Sequence, residues 1–309
     1  MQALLDTVSR LNVPTQACRL FHGRGGRYLG CEQWSLDFYP PVWLLTSHGE
    51  VSPEDITRFQ SVLSLRWSEI APEHVLRCVL QVRHANQART QLLSGSVPDP
   101  HWVLEGASQY QVQLMRSKNH GLFLDMACGR QWVHKHVHSH PGIAVLNLFA
   151  YTGAFSVVAL QAGASRVVNV DMSAGAMALA QANHLKNGIT KGASFWVHDI
   201  FKSWAKIQRA GPFDLIIVDP PSFQKGSFVA HKDYARVLRR LPQLVDSHGY
   251  ALLCLNAPEL GPEFLHQLVQ TCARGFTLVQ RLNNPAAFDD VASERSLKVL
   301  LYQKKVWQC

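Results

Sequence analysis

From about residue 141 the chain alternates short apolar runs, "AVLNLFA", "RVVNVDM", "ASFWVHD", "FDLIIVDPP" and "GYALLCLNA", with helical patterns such as "AGAMALAQANHLKNG" and "PEFLHQLVQTCARG" that close on glycine. Strands that are apolar along their whole length are buried on both faces, and strands separated by helices lie parallel. The pattern predicts an α/β, Rossmann-like, doubly wound sheet with its ligand crevice at the carboxyl ends of the strands. The last two runs, "FTLVQRL" and "LKVLLYQKKVW", have only the turn-rich "NNPAAFDDVASER" between them. They are expected to pair as an antiparallel hairpin at the sheet edge.

At 309 residues the chain is long for one core and is expected to hold two domains. Residues 1–100 read as a small α+β domain, with "PVWLLTSH" and "VLRCVLQVRH" as strands around a "SPEDITRFQSVLSLRW" helix. Residues 101–140 read as a β-hairpin and connecting segment, and 141–309 as the doubly wound domain. No apolar run reaches the ~20 residues of a membrane helix and no secretory start is visible, so a cytoplasmic protein is expected. Seven cysteines without a C-x-x-C pair suit neither a disulfide framework nor a zinc site. The net charge of +8 lies wholly beyond residue 100, because residues 1–100 hold nine basic and nine acidic side chains. Such an excess suits a polyanionic partner, although a small anionic substrate suits it too.

The turn after the first strand of the doubly wound domain is "FAYTGAF", where a dinucleotide site would need three glycines to close on a pyrophosphate. Only Gly153 stands in the turn, which argues against NAD or FAD. A turn of this kind still brings backbone groups near a zwitterionic amino-acid moiety, as S-adenosylmethionine (SAM) requires. Phe149, Tyr151, Thr152 and Gly153 are therefore candidate SAM contacts. Asp171, eighteen residues after Gly153 and followed by Met172, stands where an acid accepts hydrogen bonds from ribose hydroxyls. Asp199, with Ile200, is placed at the next strand tip to meet an adenine amino group. Each acid has a plainer use as a helix cap. "DLIIVDPPSF" ends a buried strand on Asp219, whose carboxylate, beside Pro220, can face the methyl donor and a base while Phe223 stacks on a flipped base.

The motifs "VLNLFAYTGAF", "NVDMS", "ANHLKNG", "DPPSF" and the upstream "GLFLDMACGR" resemble the bacterial 23S ribosomal RNA large-subunit methyltransferase family of RlmI and RlmK type, across roughly residues 100–305. The resemblance implies a class I methyltransferase fold with SAM as cofactor and 23S rRNA or its precursor as partner. It carries over Phe123, Leu124 and Asp125 from the family's "GFFLD" segment as substrate contacts, whereas "MACGR" departs from the family pattern. Members often begin with an RNA-binding PUA domain, and none is expected here.

Methylation at cytosine C5 needs a cysteine thiolate at the tip of the fourth or fifth strand. "DPPSF" has none, and in "GYALLCLNAPEL" the tip position falls on Asn256, with Cys254 about 6.6 Å deeper on the same strand face. A base nitrogen, guanine favoured, is the expected acceptor, with Asp219 and Asn256 contacting the base and catalysis resting on positioning. Cytosine C5 through Cys254 is the alternative. A SAM-binding RNA-assembly module without catalysis, and a methyltransferase for small molecules or proteins, are further readings.

"HKHVHSH" alternates four histidines from His134 to His140, but the segment continues a helical pattern through Trp132, Val133 and Val137 in which they do not converge on a metal, so none is expected. Arg24, Arg27 and Tyr28 of "FHGRGGRYLG" are candidate contacts to an RNA backbone, as are Lys225 and Lys232 after the DPP motif. A homodimer is left open.

Overall fold

A computed structural model describes residues 1–84, 87–116, 118–221, 223–224 and 228–305, without the side chains of residues 87, 223 and 224. The chain divides into two units, Met1–Leu124 with Pro285–Ser293, and Asp125–Asn284 with the stretch that begins at Glu294. The boundary splits the expected 101–140 connecting segment at Leu124, its hairpin half going to the first unit and its helical half to the second.

In the first unit α1 (Gln2–Val8), β1 (Cys18–His22), β2 (Trp34–Tyr39), β3 (Val42–Ser47), α2 (Pro53–Ile70), β4 (Cys78–His84) and β5 (Gln87–Ser94) form a five-stranded sheet with two helices on one face. The strands stand in sequence order, antiparallel except for β3 and β4, which α2 connects in parallel. The Ser52 hydroxyl accepts from the Asp55 amide to start α2, with Pro53 in the first turn where its missing N–H is not needed. Phe59, Leu63 and Trp67 recur every four residues and pack on Trp34, Leu36, Phe38, Trp43 and Leu45, joined by Leu4, Leu5 and Val8 of α1. β6 (His101–Glu105) and β7 (Ser108–Val112) make a separate hairpin turning at Gly106.

The second unit runs α3 (Ala127–Ser139), β8 (Ala144–Leu148), α4 (Ala154–Gln161), β9 (Arg166–Asp171), α5 (Ala174–Lys186), β10 (Ala193–Val197), α6 (Trp204–Ala210), β11 (Phe213–Val218), β12 (Phe223–Gln224), β13 (Phe228–Val229), α7 (Ala230–Leu238), α8 (Leu241–Leu244), β14 (Val245–Leu255), α9 (Pro262–Cys272), β15 (Phe276–Leu282) and β16 (Lys298–Lys304). Its seven-stranded sheet has the order β10-β9-β8-β11-β14-β16-β15. The first five strands are parallel, and β16 is antiparallel to both neighbours. This is the predicted Rossmann-like sheet with its antiparallel pair, except that β16 enters between β14 and β15, so that β15 alone forms the edge. Along β11, Ile216 and Val218 join one apolar core and Leu215 and Ile217 the other, so its uninterrupted apolar run reflects burial on both faces. The strand order reverses between β8 and β11, and that switch point puts a crevice at their carboxyl ends. Among the described residues no helix is long and apolar enough to cross a membrane.

Candidate active site

Three consecutive odd positions after β8 have left-handed backbone: Phe149 (φ 57°), Tyr151 (φ 49°) and Gly153 (φ 72°). Two of them bear side chains, and such residues store about 1–3 kcal/mol of strain that the surroundings must hold in place. The surroundings do so with hydrogen bonds. The Ala150 amide donates to Val170 O at 3.1 Å and the Gly153 amide to Ala150 O at 2.9 Å. Asp171, at the tip of β9, accepts from the Tyr151 amide at 2.9 Å through one oxygen and from the Ser173 amide at 2.8 Å through the other. Its carboxylate is thus fixed at the tip of β9 by the turn it braces. Gly153 is required twice over, since a Cβ there would stand 3.0 Å from Ala180 Cβ and 3.1 Å from His184 Cε1 at an unfavourable φ.

A buried polar chain below this turn left no motif in the sequence. Asn147 donates to Asn169 Oδ1 (2.9 Å), and Asn169 donates to Ser156 Oγ (2.9 Å). Ser156 meets His184 Nε2 at 2.8 Å, and His184 Nδ1 reaches Ala180 O at 2.6 Å. Only Nδ1 faces an acceptor that cannot donate, so the proton belongs there and Nε2 receives the serine hydroxyl. Burial lowers the pKa of this histidine and keeps it neutral. Beside it, Asn183 donates to Thr152 O at 2.9 Å. The network ties β8, β9, α4 and α5 together under the turn and fixes Thr152, itself 1% exposed.

Asp199 accepts from the Phe201 amide at 2.8 Å and lies 3.7 Å from Lys202 Nζ, so it caps a short 3-10 turn at the tip of β10. Met172 is half exposed, whereas the Ile200 side chain is 4% exposed and belongs to the core. At the tip of β11, Asp219 shares its surroundings with Asp125 and the buried Arg130. Burial pushes its carboxyl up to about 7, Asp125 adds to the rise, and Arg130 opposes it. Pro220 is buried behind it.

Cys254 on β14 is fully buried, and burial, with the carboxylates of Asp219 and Asp125, raises its thiol well above the ordinary range. Tyr234 donates to Cys254 O at 2.8 Å. Asn256, just past β14, is exposed. The carbonyl of its neighbour Ala257 accepts from Lys298 Nζ at 2.7 Å, and that lysine, wholly buried, also donates to Glu294 O at 3.2 Å. Lys298 thereby anchors the segment that carries Asn256, a role hidden in the sequence because a single lysine opening an apolar strand looks like an ordinary solvated end.

Phe123 is 39% exposed and falls in the first unit, whereas Asp125 opens the second. The backbone of Phe223 lies in β12, its side chain is outside the described part, and Lys225 lies outside the described residues. His134, His136 and His138 lie along α3, where His136 stacks on Trp132 (4.8 Å) and meets Tyr250 edge-on (4.8 Å). Among the described residues no three His, Cys, Asp or Glu side chains are grouped to hold a metal ion.

The sequence profile of the S-adenosylmethionine-dependent methyltransferases matches residues 18–303. Ribosomal RNA large subunit methyltransferase I of Aeromonas hydrophila is 38% identical over 139 residues, which is 44% of this chain and 34% of that protein. The protein of the same name from Tolumonas auensis is 36% identical over 193 residues, 60% of this chain and 48% of that one. The chain therefore spans half or less of the length of these curated relatives. Among solved structures, a candidate SAM-dependent methyltransferase of Streptococcus mutans is similar with a TM-score of 0.79 at 24% identity, covering 98% of this chain and 78% of that one. At that identity the likeness speaks to the fold.

Proposed function

Because the chain belongs to the family of S-adenosylmethionine-dependent methyltransferases, we propose that it methylates a base nitrogen, guanine first, in large-subunit ribosomal RNA. The observation that carries the choice of atom is the state of Cys254. A thiol that is fully buried and held protonated cannot add to cytosine C6, so the C5 route lacks its nucleophile. A ring nitrogen such as guanine N7 brings its own lone pair and needs only alignment and proximity. The names of the Aeromonas and Tolumonas relatives support ribosomal RNA as the substrate.

The residues present suit SAM. The fixed Asp171 carboxylate can accept a ribose diol, the left-handed turn at 149–153 turns backbone groups toward an amino-acid moiety, and Asp199 stands one strand further out. When bound, SAM supplies an electrophilic methyl group on a sulfonium. The chain's own residues would hold the base nitrogen in line with that methyl carbon, because a nucleophile with its own lone pair needs only alignment and proximity. Asp219 and Asn256 hold the base, the carboxylate accepting from a guanine N1–H/N2–H edge while positive charge grows on the ring. The buried Pro220, which has no N–H, gives Asp219 a rigid exit from β11.

The test is transfer of labelled methyl from SAM to large-subunit rRNA prepared from cells lacking the protein, with the modified nucleoside identified by mass spectrometry. Wild type and Cys254→Ala are expected to yield the same methylated purine, and Asp219→Ala to lose about 100-fold in rate. A 5-methylcytosine product abolished by Cys254→Ala would overturn the nitrogen assignment.

A further inference from the structure

The face of the five-stranded sheet turned away from α1 and α2 carries a row of polar residues in one register: His22, Ser35, Thr46, Gln81 and Thr90 face one another from β1 to β5. Ser35, Thr46 and Gln81 are all at most 3% exposed, and Ser35 Oγ has no hydrogen-bond partner. A buried polar stripe of this kind is costly unless it positions something. Here it positions cations. Arg19 forms a two-pronged pair with Asp37 (2.8 and 2.9 Å) and reaches His22 Nδ1 at 2.9 Å. Arg83 is held by Gln81 Oε1 at 2.5 Å and Lys118 O at 2.6 Å, and touches His120 Nε2 at 3.2 Å. Arg24 reaches over to His48 Nε2 at 3.4 Å.

His48 meets Arg24 at 3.4 Å on this face. Beyond burial, Arg24, Arg83, Arg19 and Lys118 all act on it and lower its pKa to about 3, and His22 and His120 are each lowered to about 4. Asp37 offsets Arg19 and also acts on Arg83 and His120, while Asp290 stands 3.8 Å from His22 and acts on Arg24. Neither Arg24 nor Arg83 has a carboxylate within ion-pair distance among the described residues. The His120 side chain, only 7% exposed, sits between the Arg83 guanidinium at 3.2 Å and the backbone of Gln113. The charges of Arg19 and Arg24 act unfavourably on Arg83, and proteins normally pair such cations. Asp37 and Asp290 act on these cations without pairing Arg24 or Arg83 directly, and an anion with several acceptor oxygens would do so, guanidinium forks and imidazole N–H groups being its matching donors.

We infer that Arg24, Arg83, His48, His120 and Lys118 of the first unit form a binding site for a phosphoryl group. The rim is reachable, since Arg24 and Lys118 are exposed, while the inner donors are fixed by the polar row. Two sources offer the group, a phosphodiester of RNA and a free phosphorylated small molecule. RNA is favoured, and that part rests on the function proposed above.

The experiment uses the full chain and three measurements: anisotropy of a labelled single-stranded RNA across a salt series, calorimetry with inorganic phosphate and pyrophosphate, and SAM affinity as the control for folding. Arg24→Glu and Lys118→Glu alter the exposed rim, and Arg83→Gln the inner wall. Each rim variant is expected to weaken RNA binding about tenfold and to reduce the salt slope by about 0.7, the share of one phosphate contact on a single strand. If wild type binds RNA and the rim variants bind it with unchanged affinity and slope, the site is overturned and the methyl-acceptor reading stands. If wild type binds no RNA but binds phosphate or pyrophosphate in a manner lost in Arg24→Glu, the site stands for a small phosphorylated ligand and the RNA reading falls. Binding of neither overturns both.

Discussion

Asp219 sits close enough to Cys254 to raise its thiol further, and both are driven toward their neutral forms by burial. For Asp219 the folded carboxyl titrates near 7, against an ordinary value of 3.8. The native state therefore holds a proton that the unfolded chain has released between those two values, so stability is full below about 4 and declines as pH rises through 7. Asp219→Asn is expected to melt with wild type in acid and above it at pH 8, as followed by thermal unfolding across the pH range. Methyl transfer should rise with pH toward a plateau above 7, where the ionised carboxylate accepts from the base. Because Asp125 contributes to the shift, Asp125→Asn should move the midpoint of that rise to lower pH. A profile flat from pH 5 to 8 would show that ionisation of Asp219 is not used. Cys254→Ala should cost about 1–2 kcal/mol in denaturant unfolding through the small cavity it leaves, with its initial rate close to wild type.

The turn between β8 and α4 depends on glycine at one position only. Gly153→Ala adds a Cβ against Ala180 and His184 at φ 72°, so it should destabilise the protein by about 1–3 kcal/mol and weaken SAM binding at least tenfold by calorimetry. Elements with regular chemistry were readable without coordinates. The apolar run of β11 announced a strand buried on both faces, and Ser52-Pro53 announced the start of α2. The switch-point crevice followed from the alternation of strands and helices. What stayed hidden depends on long-range pairing. His184, Asn169 and Ser156 are three unremarkable residues until the register of β8 and β9 and the packing of α4 on α5 bring them into one chain of hydrogen bonds. The polar row of the first unit is hidden for the same reason, because no single strand holds more than one of its members. The edge hairpin of β15 and β16 was readable, but which of its strands would pair with β14 was out of reach, since a hairpin can join a sheet by either strand.

For the molecule as a whole, the segment Pro285–Ser293 leaves the second unit after β15, belongs to the first, and gives way to β16. Within the first unit Arg27 pairs with Asp289, Val291 donates to Gly25 O at 2.8 Å, and Phe288 lies under the Arg19 guanidinium at 4.3 Å. Replacing 285–293 with a short Gly-Ser turn should lower the unfolding temperature of the first unit, seen as earlier proteolysis of its strands, while SAM affinity is preserved. Equal protease resistance in the two proteins would show that the clasp contributes nothing. The same arrangement sets a schedule during synthesis. A ribosome adding about 5–20 residues per second needs roughly 8–30 s to travel the 160 residues from Leu124 to Pro285. Throughout that interval the nascent first unit is without Asp289 and Asp290, so Arg27 has not met its ion-pair partner and is open to whatever polyanion is nearest, the translating ribosome included.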